Sequence, residues 1–379
     1  MSPKRCLAVK KRGVLKEPLK NISPKLSLRQ LSEVLRDGTD DGWGTNKLNR
    51  ELRKQVDRHT PLGPLLVELR VPLIDGRPDL QWLVCNPFAL LYILTTRSPQ
   101  FRRLLLRSLV SSGDSYCGTL ALYSDETTPG NQMRHDSSNT LQCIYWCMPQ
   151  LPSWFRARRL GWLHYGFLRT EVQHTVQGGL SGLMRIALKH FYNPSGLNFA
   201  KGFWVPLMPG GDEAHIKLNF MCFMQDEKAH KFTSCVTGAQ GTHCCLICRN
   251  IMQMKPEKLA GHAYFRHYAL AYPCEFDRHD AESFWMFVDE MYGKAAGLSK
   301  DARRQLQSQL GIVWNPHGIV VDEYLRNVFC PATHTYFDPM HCLCASSGVS
   351  QYHLNGFANA YVDAGGTLQD LDVYQRSII

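Results

Sequence analysis

The 379-residue chain lacks any long hydrophobic run. Its longest, Phe88 to Leu94, falls far short of the ~20 apolar residues that a bilayer span requires, which excludes a polytopic membrane protein. A signal peptide is not expected either, because the basic opening MSPKRCLAVKKRG has no apolar core behind it. Phosphate-cradling loops are missing: Gly178-Gly179 and Gly210-Gly211 fit neither GxxxxGK[ST] nor GxGxxG, so they read as turns. Acid is almost absent from the first 25 residues, where Lys4, Arg5, Lys10, Lys11, Arg12, Lys16, Lys20 and Lys25 face only Glu17. No internal repeat is found. A composition of 44% hydrophobic and 20% charged residues excludes global disorder.

The formal net charge is +10, and it is unevenly spread. Residues 1–110 carry 21 Lys+Arg against 10 Asp+Glu, whereas the rest of the chain is close to balanced. A basic leader of this kind suits phosphate backbones, where each neutralised phosphate releases counterions, and it resembles a nuclear-import signal. The other reading is a solvated tail with no specific partner.

Residues 1–25 show no periodicity and are expected to be disordered. Residues 26–112 read as an α-rich basic domain, with helical patterns in LSLRQLSEVLR, NKLNRELRKQVDRH, PFALLYILTT and QFRRLLLRSLV. From residue 113 the texture changes. TLALYSDETTPG (119–130), LQCIYWCM (141–148) and GWLHYGFL (161–168) read as strands, SGLMRIALKHF (181–191) as an amphipathic helix, and HIKLNFMCFMQDE (215–227) as a buried strand. The expected fold is therefore α/β in the order β-β-β-α-β, the order of an RNase H-like mixed sheet, over residues 113–235. A Cys/His-containing helical insertion (236–345), with helices at 281–295 and 302–312, and a short remainder of the core (346–379) follow. Trp285, on the first of those helices, is expected to pack in the core.

In such a sheet the fourth strand lies parallel beside the first, so Asp125 and Asp226, at the ends of those strands, become neighbours. Paired carboxylates are hard oxygen donors that could hold two Mg²⁺ or Mn²⁺ ions for in-line displacement at phosphorus. The alternative is that each aspartate only caps a turn. Glu126 and Glu227 directly follow the two aspartates, and strand alternation ranks them second.

Fourteen cysteines without a secretion signal point to a reduced compartment and to metal rather than disulfides. Cys245 and Cys248 form a CxxC with zinc-knuckle spacing. Further ligands are sought at His341, Cys342 and Cys344, or closer by at His243 and Cys244. A zinc held there would be structural, and two buried structural cysteines are the alternative. No protease-like signature surrounds any cysteine or histidine, so nucleophilic Cys-His catalysis is not expected.

Taken in order, these segments resemble the CACTA (En/Spm-type) transposases. DPMHCLCASSGVSQYHLNGF is similar to that family's DPMH segment, CCLIC to its GxxGCxxC, LALYSDETTPGN to its first catalytic strand and FMCFMQDEKAH to its second. The resemblance spans residues 115–357. It implies a DDE/D-type enzyme with an RNase H-like core, acting on DNA in the nucleus. Asp125 and Asp226 would be the first two acids, and Cys245, Cys248 and His341 the zinc-site residues; assembly as a homo-oligomer is compatible with it. Two departures stand out. Cys342 replaces the family's asparagine, and after His341 only Asp363, Asp370 and Asp372 remain, with no glutamate. The third acid is thus expected to be missing, with Asp338 a weak substitute, which leaves two versions of this reading open: an active transposase-like enzyme and a truncated, inactive copy. A zinc-stabilised nucleic-acid-binding protein without catalysis is the alternative function.

Overall fold

The structure is a computed structural model that describes residues 59–128, 140–208, 211–238, 241–252, 265–266, 276–337, 360–365 and 367. The basic tail, the helices expected before residue 59, Asp338, His341, Cys342 and Cys344 lie outside the described residues.

The described part is a mixed α/β fold built on one seven-stranded sheet. After a small ladder of His59–Thr60 with Gly63–Pro64 come two longer strands, β1 (Leu66–Val71) and β2 (Leu80–Cys85), paired as an antiparallel hairpin. Two helices follow, α1 (Pro87–Arg97) and α2 (Pro99–Ser108). Both start the same way. Asn86 and Ser98 accept the first free backbone N–H groups, and proline takes the first helical position, where it forfeits no hydrogen bond. Ser98 also ends α1, so one Ser-Pro pair both stops a helix and starts the next.

The sheet then begins with β3 (Val110–Ser112) and the long β4 (Ser115–Thr127). β4, β5 (Leu141–Cys147) and β6 (Leu163–Arg169) form an antiparallel meander. Helix α3 (Gly179–Phe191) crosses back, burying Leu180, Leu183, Met184, Ala187, Leu188 and Phe191, one stripe at helical spacing. After the short β7 (Phe203–Pro206), β8 (Glu213–Gln225) runs parallel to β4, and β9 (Thr335–Phe337) runs parallel to β8 on its far side. The main path across the sheet is β9-β8-β4-β5-β6, with β3 paired to β4 and β7 to β8. Helix α4 (Glu227–Thr233) starts where β8 ends. Helix α5 (Ala281–Ala295) coincides with the expected segment 281–295, while α6 (Lys300–Leu310) overlaps 302–312 but starts two residues earlier, after the Ser299 cap, and stops two earlier, at the left-handed Gly311. Trp285 is half-buried against the core, with the Arg326 guanidinium 4.9 Å from its ring centroid.

The stretch expected to be α-rich thus contains a hairpin as well as its two helices. LVELRV places polar Glu68 and Arg70 between apolar residues, and LQWLVC is apolar but for Gln81, with β-formers Val and Trp in the pair. The hairpin also shares the core of the main sheet. Trp82 meets Tyr165 edge-on at 5.7 Å, and its indole N–H donates to the Phe167 carbonyl at 3.0 Å. Gly166 makes room for it, since a Cβ there would lie 3.0 Å from a Val84 methyl. Among the described residues no helix is long and apolar enough to cross a membrane.

Two histidines, the buried His279 and the half-buried His190, make this fold acid-sensitive. Burial holds His190, which meets the Tyr165 hydroxyl at 3.0 Å, down at about 4, and burial and then the neighbouring His243 hold His279 down at about 4. Unfolding returns each to about 6.5, so between these values the unfolded chain binds more protons than the native one. Stability is therefore full above pH ~6.5 and declines as the pH falls towards 4. The urea midpoint should drop measurably between pH 7 and pH 4.5, and His190→Gln should flatten part of that drop.

Candidate functional site

The candidate site is assembled where β4 and β8 end side by side. Their register is fixed up to Met224 opposite Tyr123. One step further, the buried Gln225 amide donates to the Ser124 hydroxyl at 2.8 Å, and the Gln142 amide of β5 donates to the same oxygen at 3.1 Å. Gln225 also donates to Thr233 of α4 at 3.1 Å. Three strands are thereby tied at one buried hydroxyl, with the helix held to them through Gln225, and a slipped register would strand polar groups without partners. The next residue on each strand is an aspartate. Asp125 and Asp226, 101 positions apart in sequence, come to adjacent strand ends, and both line one cleft of about 340 Å³.

Each carboxylate is anchored. Asp125 lies opposite Cys143 and accepts the Tyr123 hydroxyl at 2.9 Å and the Glu126 N–H at 2.8 Å. Asp226 is the N-cap of α4 and accepts the Ala229 N–H at 2.6 Å. It therefore caps a helix, where the alternative reading expects a turn, while one of its oxygens makes no bond to that helix. His230, one turn into α4, is buried, with Nε2 2.9 Å from the Tyr336 carbonyl, which fastens α4 to β9. Burial lowers its pKa, against the opposing pull of that carbonyl and of Asp226.

Glu126 is exposed and also lines the cleft. Alternation puts it on the face of Ser124, opposite Gln142, while Asp125 shares the face of Tyr123. Glu227, in the first turn of α4, does not line the cleft. Lys228, Lys231 and Asn315 do, and sequence reasoning did not find them. The two lysines followed Asp226 in plain view, but their place beside the acids depends on the helix that starts there. The floor is Gly178-Gly179 at the start of α3. Gly178 has φ +81°, and a Cβ there would fall 2.7 Å from the His317 carbonyl, so glycine is required on both counts.

The second cluster is arranged differently. The Cys248 N–H donates to the Cys245 sulfur at 3.2 Å, which closes the CxxC into a tight turn. Residues 247–249 pair with 277–279 through Ile247–His279 and Arg249–Asp277 backbone bonds of 2.8 and 2.9 Å. Burial first, then the Cys245 sulfur beside it, pushes the Cys248 thiol up, so it stays protonated without a cation. The buried His243 does not turn to the cysteines: its ring nitrogens lie 3.2 and 3.1 Å from the carbonyls of Leu310 and Cys248. The Cys244 sulfur faces the Ile251 carbonyl at 3.7 Å. Among the described residues no three His, Cys, Asp or Glu side chains converge as a metal-binding group.

Fold and site together define a mixed α/β protein with an acid-lined, lysine-flanked cleft at the end of parallel strands. No protein-family model matches the chain, and no curated protein matches it.

Proposed function

We propose that this is a transposase-like DNA-processing protein of the CACTA type, with an RNase H-like core that cleaves and joins strands by two-metal phosphoryl transfer. One observation carries the reading: Asp125 and Asp226 end adjacent parallel strands and line the same cleft. The strand order supports it, because an antiparallel meander, a helical crossover and a strand parallel to the first are the parts of an RNase H-like sheet. The cleft's chemistry is compatible with Mg²⁺ or Mn²⁺. Such ions take oxygen ligands, and magnesium is commonly held by one or two carboxylates together with water and substrate phosphates. Bound there, the ions would stabilise charge developing at phosphorus. The chain's own contribution is orientation. Tyr123 and the Glu126 N–H fix Asp125, and the α4 cap fixes Asp226. Lys228 and Lys231 add positive charge at the rim, suited to a phosphodiester.

On this reading the basic tail would act as a nuclear-import signal. Purified full-length chain should nick duplex DNA with Mg²⁺ or Mn²⁺ and not with EDTA; no cleavage under either metal would defeat the catalytic assignment.

A second reading, a zinc-stabilised nucleic-acid-binding protein without catalysis, is favoured by the absence of a converging acid triad among the described residues. It predicts DNA binding with a steep salt dependence and no cleavage. Both readings use zinc at Cys245 and Cys248, with His341 as a further ligand. Metal analysis is expected to give close to one zinc per chain, lost on Cys245→Ser together with thermal stability. A stable zinc-free protein would leave the two cysteines as ordinary core residues.

A further inference from the structure

Between β5 and β6 the chain forms a compact projection. A short helix, Ser153–Arg156, leads into a turn closed by Arg158 N–H to Phe155 carbonyl and Gly161 N–H to Arg158 carbonyl bonds, both 3.0 Å. Gly161 lets the turn fold back this tightly, since a Cβ there would lie 2.5 Å from the Phe155 carbonyl. The Arg156 side chain is pinned by its Nε, which donates to the Leu151 carbonyl at 2.8 Å. What this ordered unit presents outward is unusual: Trp154 is 56% and Leu160 57% exposed, and Arg156 and Arg158 are exposed beside them. The Arg158 guanidinium lies 5.6 Å from the Trp154 ring centroid.

The projection joins a second arginine-bearing element. Its Phe155 ring meets Phe101 of α2 at 6.2 Å, and α2 exposes Arg103 and Arg107 one turn apart. No acid interrupts either stretch: residues 80–113 and 137–170 contain neither Asp nor Glu. Among the described residues, Arg103, Arg107, Arg156 and Arg158 take part in no ion pair. Positive charge without counter-charge, next to an open indole in a rigid frame, is the chemistry that holds single-stranded nucleic acid: guanidinium groups follow the backbone and the ring stacks on a base.

We propose that the Trp154–Arg158 projection, extended by Arg103 and Arg107 of α2, is a contact site for single-stranded nucleic acid. It is separate from the carboxylate cleft. The projection follows Cys147, which pairs with Ala121, and Asp125 lies four residues further along β4, roughly 14 Å at ~3.4 Å per residue. The site does not depend on the catalytic reading.

The test is fluorescence anisotropy of the full-length chain with a labelled thymidine oligonucleotide of about 20 nucleotides, long enough for several stacking sites, titrated between about 50 and 200 mM salt. Arg156→Ala/Arg158→Ala should lower the slope of log affinity against log salt by about 1.4, from about 0.7 per single-strand phosphate contact. Trp154→Ala should weaken binding by about tenfold or more, and Trp154→Phe, which keeps an aromatic face, should retain most of it. All three positions are exposed and Arg156 gives up only its bond to the Leu151 carbonyl, worth about 1 kcal/mol, so thermal melts should shift by no more than a few degrees. Wild-type affinity and slope in these variants would overturn the proposal, with binding assigned to the basic tail alone. Tighter, Trp154-dependent binding to phosphatidylserine vesicles than to the oligonucleotide would also overturn it. Because the readout is binding with no divalent metal, loss of cleavage in Asp226→Asn with binding intact separates this site from the cleft.

Discussion

On the proposed function, Asp226→Asn is expected to remove Mg²⁺- or Mn²⁺-dependent DNA cleavage while leaving the fold intact. Asparagine caps a helix as well as aspartate does, so the bond to the Ala229 N–H survives and α4 starts where it did. Asp226→Ala, by contrast, should cost about 1 kcal/mol of stability through the lost cap. The asparagine variant therefore isolates charge from architecture. On the proposed function its cleavage rate falls by about a hundredfold to a thousandfold or more, the scale on which a single preorganised electrostatic group acts. Asp125→Asn should behave alike, because the amide oxygen can still accept the Glu126 N–H while the amide N–H donates to the Tyr123 hydroxyl oxygen. Rates of metal-dependent nicking, measured beside thermal melts, check both. Cleavage at the wild-type rate in either variant would remove that aspartate from the reaction.

The largest effect on stability is expected at Phe199. Its ring is fully buried and meets Phe88 at 4.4 Å, Phe203 at 5.1 Å, Phe191 at 5.6 Å, Trp146 at 5.8 Å and Tyr192 at 6.3 Å. Those partners come from α1, β7, α3, β5 and the turn after α3, so one side chain joins the N-terminal helices to both halves of the sheet. Phe199→Ala leaves a void that none of these rings can fill without shifting all the others, at a cost of about 3–5 kcal/mol. Equilibrium denaturation in urea measures it. Phe199→Leu, which keeps most of the volume, should lose clearly less.

The strands that carry the acids were legible in the sequence because each one packs a hydrophobic face. TLALYSDE, LQCIYWC and HIKLNFMCFMQ announce themselves by β-branched and aromatic content, and SGLMRIALKHF by its period. The hairpin Leu66–Cys85 was not separated from its helical surroundings, since its burial is set by Trp82 meeting Tyr165, 83 positions further along the chain. What the sequence withholds most completely is register. Nothing local says that Ser124, Gln142 and Gln225 share one buried hydroxyl, and without that tie the two aspartates are only strand-end residues. The CxxC was equally visible. The nearby His243 could not be set aside as its partner from spacing, because what occupies it is a pair of backbone carbonyls from Leu310 and Cys248. The projection at Trp154 was missed for the opposite reason: its meaning lies in side chains that stay out of the core.

The ladder between β4 and β8 is not continuous. Phe220 pairs with Leu120, but Ala121 pairs with Cys222, and Met221 is passed over and left 44% exposed. Before that irregularity partners differ by 100 in number, and after it by 101. Had every residue been paired, Asp226 would face Glu126, and Asp125 would face Gln225. The choice of which acids meet is thus made by counting, not by the chemistry of the acids themselves. A lineage carrying this fold could exchange most side chains along β8 and keep the pair. One residue gained or lost between Met221 and Asp226, by contrast, would re-partner the acids while every one of them was still present in the sequence.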